Sequence, residues 1–369
     1  MNANTNSMSA SATDQPASRE MPLEFTATGG EYFRIWIVNL LLTIITLGIY
    51  SAWAKVRRQR YFYGSTSLDG TSFEYHGRPI AILKGRLIVV GVYLLFVLGT
   101  RASPLLVFIL FPVMIFGLPW IVMRSRLFQM RMSSWRGLRF NFHGTYGGAL
   151  GAFIGWPILG SITLGILYPF ALWKQTNYLL SNNAFGTQRC NFSTTVGRYY
   201  IFCLIGLGIL IAAIVAMGLV AGVTIGGFAG LGQVLKPGSS PGDVAAVLLS
   251  GGMLLFILVY AVALLLVSAY FRVSIVNAGI GGVGVGPHQL YSRLRVLPMM
   301  GIQLTNFLAM IVTLGLFYPW AKVRALRYQL NNTGVIANGD MNQFIADSNV
   351  ATSAVGDAAT DFFDLDFGF

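Results

Sequence analysis

Charged side chains are scarce in this sequence. Asp, Glu, Lys and Arg make up 10% of the 369 residues, whereas hydrophobic residues make up 55% and the mean hydropathy is +0.65. A soluble globular domain usually carries about 25% charged residues. The composition therefore predicts an integral membrane protein and excludes a soluble catalytic domain. Most of its uncharged runs reach the roughly 20 residues that a helix needs to cross a bilayer: 35–54, 87–100, 102–123, 140–173, 199–235, 244–271 and 296–321.

Acidic residues are almost absent from the centre of the chain. Between Tyr32 and Gly339 only three occur, against 24 of the 25 basic residues, and six of the thirteen acids lie in segment 340–369. Because no predicted span contains a carboxylate, a proton-coupled pump or a carboxylate-based ion transporter is disfavoured. The excess of basic residues is typical of cytoplasmic loops of membrane proteins, so no nucleic-acid partner is predicted.

Residues suited to catalysis or metal binding are also few. The two cysteines, Cys190 and Cys203, are too few for a disulfide framework or a metal cluster. No metal site is predicted from His76 and His143, two surface histidines at equivalent positions of the repeat, and no serine has a histidine or acid at a suggestive spacing. The glycine-rich stretch 281–286 lacks the ending of a phosphate-binding loop and is interpreted as a flexible connector. We therefore expect no enzyme activity, no catalytic residues, no metal site and no cofactor.

An internal repeat organises the chain. Three segments align without a gap: TLGIYSAWAKVRRQRY (46–61), TLGILYPFALWKQTNY (163–178) and TLGLFYPWAKVRALRY (313–328), with a degenerate copy at PWIVMRSRLF (119–128). Short stretches that alternate aromatic and polar residues accompany them, and this period of two predicts strands. We expect these strands to pair into a small sheet at the membrane surface; the stretches are 23–28, 72–77, 139–144 and 189–194.

Three stretches of the sequence resemble one known family. They are GEYFRIWIVNLLLTIITLGIYSAWAKVRRQRYFY, the LDGTSFEYHG that follows it, and VTLGLFYPWAKVRALRYQLNNTGV near the end. With them the chain resembles the YjgN family of bacterial inner-membrane proteins, a family of unknown function, over roughly residues 23–339. The resemblance implies an inner-membrane location and brings no established activity or catalytic residues. The central copies depart from the pattern, with Phe170 and Leu172 where the others have Trp and Lys.

Lysine and arginine positions discriminate between two topologies. If all seven apolar runs cross, nine of the 25 basic residues lie outside, which conflicts with the positive-inside rule. If segments 35–54, 147–173 and 299–321 instead bend at Thr-Leu-Gly and return, as re-entrant or interfacial helix pairs, only Arg101 and Lys236 lie outside. We favour the second arrangement, with both termini cytoplasmic, and keep seven kinked spans as the alternative. The favoured arrangement has four full spans, near 83–100, 103–123, 200–225 and 244–270.

The aromatic and basic residues of the repeat are the main candidates for a binding site. The basic residues are predicted to converge on a cytoplasmic-side pocket for anionic lipid headgroups or an amphipathic anion: Lys55, Arg57, Arg58, Arg124, Lys322, Arg324 and Arg327. The simpler interpretation is an aromatic belt with positive-inside anchoring. The tryptophans predicted as interface anchors are Trp53, Trp120, Trp173 and Trp320. The glycines predicted to pack helices closely are Gly218, Gly222, Gly226 and Gly230.

The sequence as a whole predicts a mainly α-helical polytopic membrane bundle with internal repeats and short strands at its cytoplasmic surface. Its expected divisions are a disordered N-terminal tail (1–22), a repeat-built membrane domain (23–339) and an acidic disordered C-terminal tail (340–369). The predicted function is binding or handling of anionic lipid or an amphipathic anion. Alternatives are a scaffold that recruits proteins through its glycine faces and acidic tail, and a small-solute channel or carrier. The expected partners are anionic membrane lipids; a homo-oligomer and a protein partner for the tail stay open.

Overall fold

The chain is built from five units of one kind, in each of which a strand, a helical hairpin and a second strand follow one another. The computed structural model describes residues 18–231, 241–346 and 348, with the backbone alone for 223–231, 241 and 243–254. The strands are β1 (Arg19–Phe25), β2 (Thr66–Leu68), β3 (Thr71–Tyr75), β4 (Ser133–Trp135), β5 (Leu138–Phe142), β6 (Asn183–Phe185), β7 (Gln188–Phe192), β8 (Val283–Val285), β9 (His288–Ser292) and β10 (Thr333–Ala337).

These strands form a closed antiparallel barrel, in the order β1-β10-β9-β8-β7-β6-β5-β4-β3-β2. The first strand closes it, because Arg19 pairs with Ala337 of β10 and Leu23 pairs with Leu68 of β2. Each strand therefore has a hydrogen-bonded neighbour on both sides, which leaves no open sheet edge.

Two-residue turns join the strands at one end of the barrel, which we call the turn end. Asp69-Gly70 and Arg136-Gly137 have positive φ at both positions, as a type I′ hairpin turn requires. Gly186-Thr187 and Gly286-Pro287 have positive φ at the glycine, as in type II′. Because these turns share one end, all five helical hairpins leave the opposite end, which we call the helix end.

The helices fall into two classes by length. They are α1 (Gly29–Ile45), α2 (Ser51–Gly64), α3 (Pro79–Ala102), α4 (Val107–Arg131), α5 (Tyr146–Leu150), α6 (Trp156–Ile162), α7 (Tyr168–Ser181), α8 (Val196–Leu231), α9 (Pro241–Ile280), α10 (Val296–Val312) and α11 (Tyr318–Asn331). A π-helical turn at Gly151–Gly155 joins α5 to α6, and a 3₁₀ turn at Pro104–Leu106 leads into α4. We call α3/α4 and α8/α9 the long hairpins, and α1/α2, α5–α7 and α10/α11 the short hairpins.

Only the long hairpins contain described helices that are long and apolar enough to cross a membrane. Four such stretches occur: Pro79–Ala102, Pro104–Arg131, Val196–Gly222 and Leu255–Ile280. The first arms of two short hairpins, α1 and α10, have 17 residues each. At 1.5 Å per residue such a helix spans roughly 25 Å, less than the hydrocarbon thickness of about 30 Å.

Thr-Leu-Gly makes the turn at the tip of each short hairpin. The hydroxyl of Thr46 donates to the carbonyl of Leu42 (2.7 Å) and accepts from the amide of Tyr50 (3.0 Å). Thr163 and Thr313 make the equivalent pair of bonds in their own copies. The threonine therefore satisfies backbone groups that the break between two helices would leave without a partner.

The leucine of each tip combines an unfavourable backbone with near-complete exposure. Leu47, Leu164 and Leu314 have φ of 49°, 51° and 50°, and each is 94% or 95% exposed. The left-handed conformation costs a residue with a Cβ roughly 1–2 kcal/mol. An exposed leucine in water recovers none of that cost, whereas a leucine inserted into lipid gains burial free energy.

A tyrosine at the end of each repeat copy fixes the short hairpin to its own start. Its hydroxyl donates to a backbone carbonyl at the beginning of the first helix, so the base of the hairpin is held closed. The three bonds are Tyr61 to Thr28 (3.1 Å), Tyr178 to Thr145 (3.0 Å) and Tyr328 to Arg295 (3.1 Å).

The barrel interior forms the largest buried cluster and is covered at the turn end. Trp135, Leu138 and Phe185 are among its buried residues. The helical segment 341–346, which we call the cap, packs Met341 and Ile345 into the same cluster. The cap is also tied to a hairpin turn, because Arg136 donates to Asn342 (2.9 Å) and to the carboxylate of Asp69 (2.8 Å).

The predicted architecture, a mainly α-helical polytopic bundle with short strands at its surface, was wrong. The four alternating stretches are strands, but they belong to a closed ten-stranded barrel from which the helices project. Four of the ten strands have only three residues, too few to show a period of two. Stretch 281–286 is likewise not a connector, because it contains β8.

Candidate anion-binding site

The two basic helices α2 and α11 flank a cavity at the helix end of the barrel. Both helices pack against α1. Between them lies a cavity of about 510 Å³, which we call the chamber. Phe25, Phe62 and Leu326 form part of its apolar wall. Its polar lining consists of Arg58, Gln59 and Tyr63 from α2, Thr66 from β2, and Tyr318 and Lys322 from α11.

Further cations surround the chamber and raise its positive potential. Burial, then the neighbouring Arg86 and Arg58, lower the pKa of Lys55. Burial, then Arg272 and Arg58, lower the pKa of Lys322. Both lysines lie outside the four helices long enough to span. No described residue lining the chamber is acidic, so a bound anion would relieve this mutual repulsion.

The other basic residues of the repeat have separate environments. Arg57 is exposed on α2. Arg324, at the equivalent position of α11, donates to the side chain of Asn306 (3.0 Å) in α10. Arg327 donates to the carbonyl of Ala27 (2.7 Å) before α1. The structure therefore brings together Lys55, Arg58 and Lys322 of the predicted set, while Arg324 and Arg327 make bonds that hold the helices in place.

The four predicted anchor tryptophans are half-buried packing residues. The indole of Trp173 donates to the carbonyl of Thr194 (2.7 Å). A Cβ added at Gly29 would lie against Trp320, so glycine permits that close approach. Trp53 stacks on Tyr50 (ring centroids 6.2 Å apart), and the guanidinium of Arg124 lies 5.7 Å from the Trp120 ring centroid.

The predicted glycine face is only partly described. A Cβ added at Gly218 or Gly222 would meet no atom within 4 Å among the residues whose side chains the structure describes. Gly226 and Gly230 lie in a segment that is described by its backbone alone. Close packing against a second copy therefore stays a prediction.

Three residues of the site were not found by sequence reasoning. Arg86 on α3 donates to the hydroxyl of Ser51 at the start of α2, and Arg272 on α9 lies near Lys322. Their signal was a basic residue at the edge of a span, which equally fits an interface position. His288 carried no signal; it lies in the barrel interior, 2% exposed, where burial lowers its pKa.

The barrel interior holds a second cavity, of about 360 Å³, which we call the lumen. Most of its lining is apolar, with Leu68, Phe140 and Val285 among the residues. The chamber and the lumen share Leu23, Tyr63 and Phe73 in their walls, so they adjoin.

Fold and site define a class: a barrel from which apolar helical hairpins project, with a cationic chamber where the two meet. The chain belongs to the family described as "Bacterial protein of unknown function (DUF898)", whose model matches residues 20–362. The YjgN resemblance is thereby confirmed. The chain is 27% identical to "Inner membrane protein YjgN" of Salmonella typhimurium strain LT2, over 87% of this chain and 89% of that protein.

Shorter matches link the chain to two further relatives. It is 32% identical over 145 residues to "Inner membrane protein YjgN" of Escherichia coli O157:H7 and of Escherichia coli K12. Each match covers 39% of this chain and 36% of the relative. No solved structure matches this chain.

Proposed function

We propose that this chain is a multi-pass inner-membrane protein that binds an anionic amphiphile, with the anionic group in the chamber. The single observation that carries the proposal is the cation cluster: Arg58 and Lys322, from two copies of one repeat, line the same cavity. Clustered cations without acidic partners are typical of sites for phosphate or carboxylate groups. The function is binding, because the lining offers no nucleophile and base pair.

The membrane arrangement of this proposal has four spans and three re-entrant hairpins. Each short hairpin begins after one barrel strand and ends before a neighbouring one, as between β1 and β2. A short hairpin therefore has to return to the side of the membrane that it left. The exposed leucine tips are suited to insertion into lipid. Seven crossings would require the two ends of each short hairpin to lie on opposite faces, against this geometry.

The barrel and both termini lie on the cytoplasmic side in this arrangement. The chain's first and last strands both have their outer ends at the turn end of the barrel. At the far end of hairpin α3/α4, Arg101 is the basic residue nearest the connection, whereas the barrel carries exposed Arg139 and Arg189. This distribution agrees with the positive-inside rule.

Removal of the two chamber cations tests the binding site. The double variant Arg58→Ala, Lys322→Ala is reconstituted in phosphatidylcholine nanodiscs, and the affinity for added phosphatidylglycerol is measured. Hydrogen bonds to charged groups contribute about 1.5–3 kcal/mol each, so we expect binding to weaken by roughly tenfold per residue.

The matched control is the double variant Arg139→Ala, Arg189→Ala. It removes the same charge from exposed positions on the outer face of the barrel. Equal loss in both variants would show a general charge effect and would contradict a chamber site, as would unchanged binding in the chamber variant.

A further inference from the structure

The lumen is an apolar space inside the barrel that adjoins the chamber. At the turn end the cap covers it, with Met341 and Phe344 in its wall. At the helix end it meets the chamber along Leu23, Tyr63 and Phe73. A molecule that occupies both cavities therefore has its charged part beside Arg58 and its apolar part inside the barrel.

The size and lining of the lumen suit an aliphatic chain. Apolar cavities of about 150 Å³ stay dry and bind small hydrocarbons, and the lumen measures about 360 Å³. Trp135, Phe185 and Leu290 contribute to a wall that offers dispersion contacts and few polar groups. Filling such a space with methylene groups is favourable, because each leaves water for an apolar surrounding.

Two polar side chains in the lumen wall have no hydrogen-bond partner among the described residues. His288 is 2% exposed, and both of its ring nitrogens are buried and unpaired. Its ring lies edge-on to Phe344 of the cap, with centroids 4.7 Å apart. The buried Oδ1 of Asn183, at the helix end of the lumen, is likewise unpaired. Buried polar groups are rarely left without a partner, so these three atoms indicate a bound molecule that supplies one.

We propose that the lumen binds the aliphatic chain of a single-chain amphiphile whose anionic head occupies the chamber, with the distal end of the chain beside His288. This inference deepens the proposed function and rests on it for the head group. An oxygen near the distal end of the chain, as in a hydroxylated or keto chain, would pair with His288. Two-chain phospholipids would bind by the head group alone, since the second chain has no place in the lumen.

Photocrosslinking locates the chain directly. The full-length protein in phosphatidylcholine nanodiscs is labelled with dodecyl phosphate that carries a diazirine at the distal end of its chain. We expect saturable labelling of peptides that contain lumen residues such as Val285, Met341 and Phe344. These residues lie in the barrel or in its cap, so a probe that merely dissolves in the bilayer would label the apolar helices instead.

A matched pair of substitutions on β9 separates lumen binding from general effects. Leu290→Trp fills the lumen, whereas Gln289→Trp adds the same ring to the exposed outer face of the same strand. Labelling of lumen peptides should fall by about tenfold or more with Leu290→Trp and stay unchanged with Gln289→Trp. Equal labelling in both variants, or labelling confined to the helices, would overturn the proposal.

Further arms distinguish failure of the lumen from failure of the chamber. Inorganic phosphate should compete with the probe through the chamber, whereas dodecanol should compete through the lumen. Competition by phosphate without any labelling of lumen peptides would contradict the lumen site and leave the chamber site standing. Lumen labelling that persists in the double variant Arg58→Ala, Lys322→Ala would contradict the chamber site and leave the lumen site standing. Labelling that appears only after residues 349–369 are deleted, with the cap left in place, would show that this chain's own C-terminal segment is the occupant, and would also overturn the proposal.

Discussion

The long and short hairpins leave the same end of the barrel and differ in how far their helices extend from it. Near the barrel they share a core: Ala52 and Val56 of a short hairpin pack with Ile82 and Phe128 of a long one. Farther out the long hairpins have the length of a membrane span, whereas the short ones end at an exposed leucine. The difference teaches that one repeat can give two kinds of hairpin, one with the length to cross a bilayer and one that lines the chamber at the helix end of the barrel.

Sidedness mapping is the test with the largest expected effect, because each outcome is all or none. Single cysteines are placed at Thr187, Leu105 and Leu47 in a chain without Cys190 and Cys203. A membrane-impermeant thiol reagent should reach Leu105→Cys from the periplasm and Thr187→Cys from the cytoplasm only. Leu47→Cys should react from neither side, since the proposed topology puts this tip in lipid. Periplasmic labelling of Thr187→Cys would invert the proposed topology.

Truncation in the shared core should have the next largest effect. Ile82 on α3 is 0% exposed and packs against α2 and α4. Ile82→Ala should lower the free energy of unfolding by about 2–5 kcal/mol, as expected for a cavity in a packed core. Ile80→Ala, on the same helix at a position that is 60% exposed, provides the control and should change it by less than about 0.5 kcal/mol. Similar losses would mean that the two hairpin classes are not joined here.

Loss of the tyrosine bond should have the smallest effect of the three, and one specific to short hairpins. Tyr328→Phe removes two hydrogen bonds with Arg295, one donated to its carbonyl and one accepted from its amide, and should cost about 0.5–1.5 kcal/mol for each. The repeat alignment puts Phe128 of the long hairpin α3/α4 at the equivalent position, where it is buried without a hydroxyl. Phe128→Tyr should therefore bring no stabilisation. Thermal unfolding in nanodiscs measures both changes, and a neutral Tyr328→Phe would argue against a structural role.

Much of the local structure could be predicted from the sequence, but the closure of the barrel could not. The Thr-Leu-Gly repeat located the three tips, because threonine, an exposed leucine and glycine recur there for a geometric reason. The barrel escaped prediction because strands such as Val-Gly-Val in β8 have neither length nor alternation. Its closing pair, β1 with β10, joins residues at opposite ends of the chain, and no local pattern reports such a contact.

The candidate site, like the fold, could be predicted only in part. The repeat singled out seven basic residues, and three of them, Lys55, Arg58 and Lys322, come together at the chamber. The alignment could not separate Arg58 from Arg57, since neighbouring residues on a helix differ in direction and only the packing of α1 decides which one faces inward. His288 could not be found, because an isolated histidine after a proline has no periodic context and its burial depends on the barrel.

The β1–β10 pair imposes an order on biosynthesis. The strand β1 is made before the helical hairpins that follow it but cannot acquire its last neighbour until β10 has been made, so the sheet stays open while the hairpins are synthesised. During that interval two edges of the sheet are unpaired and can recruit a strand from another chain. A product that stops before residue 333 would keep both edges indefinitely, and would be expected to aggregate or be degraded although its membrane helices are intact.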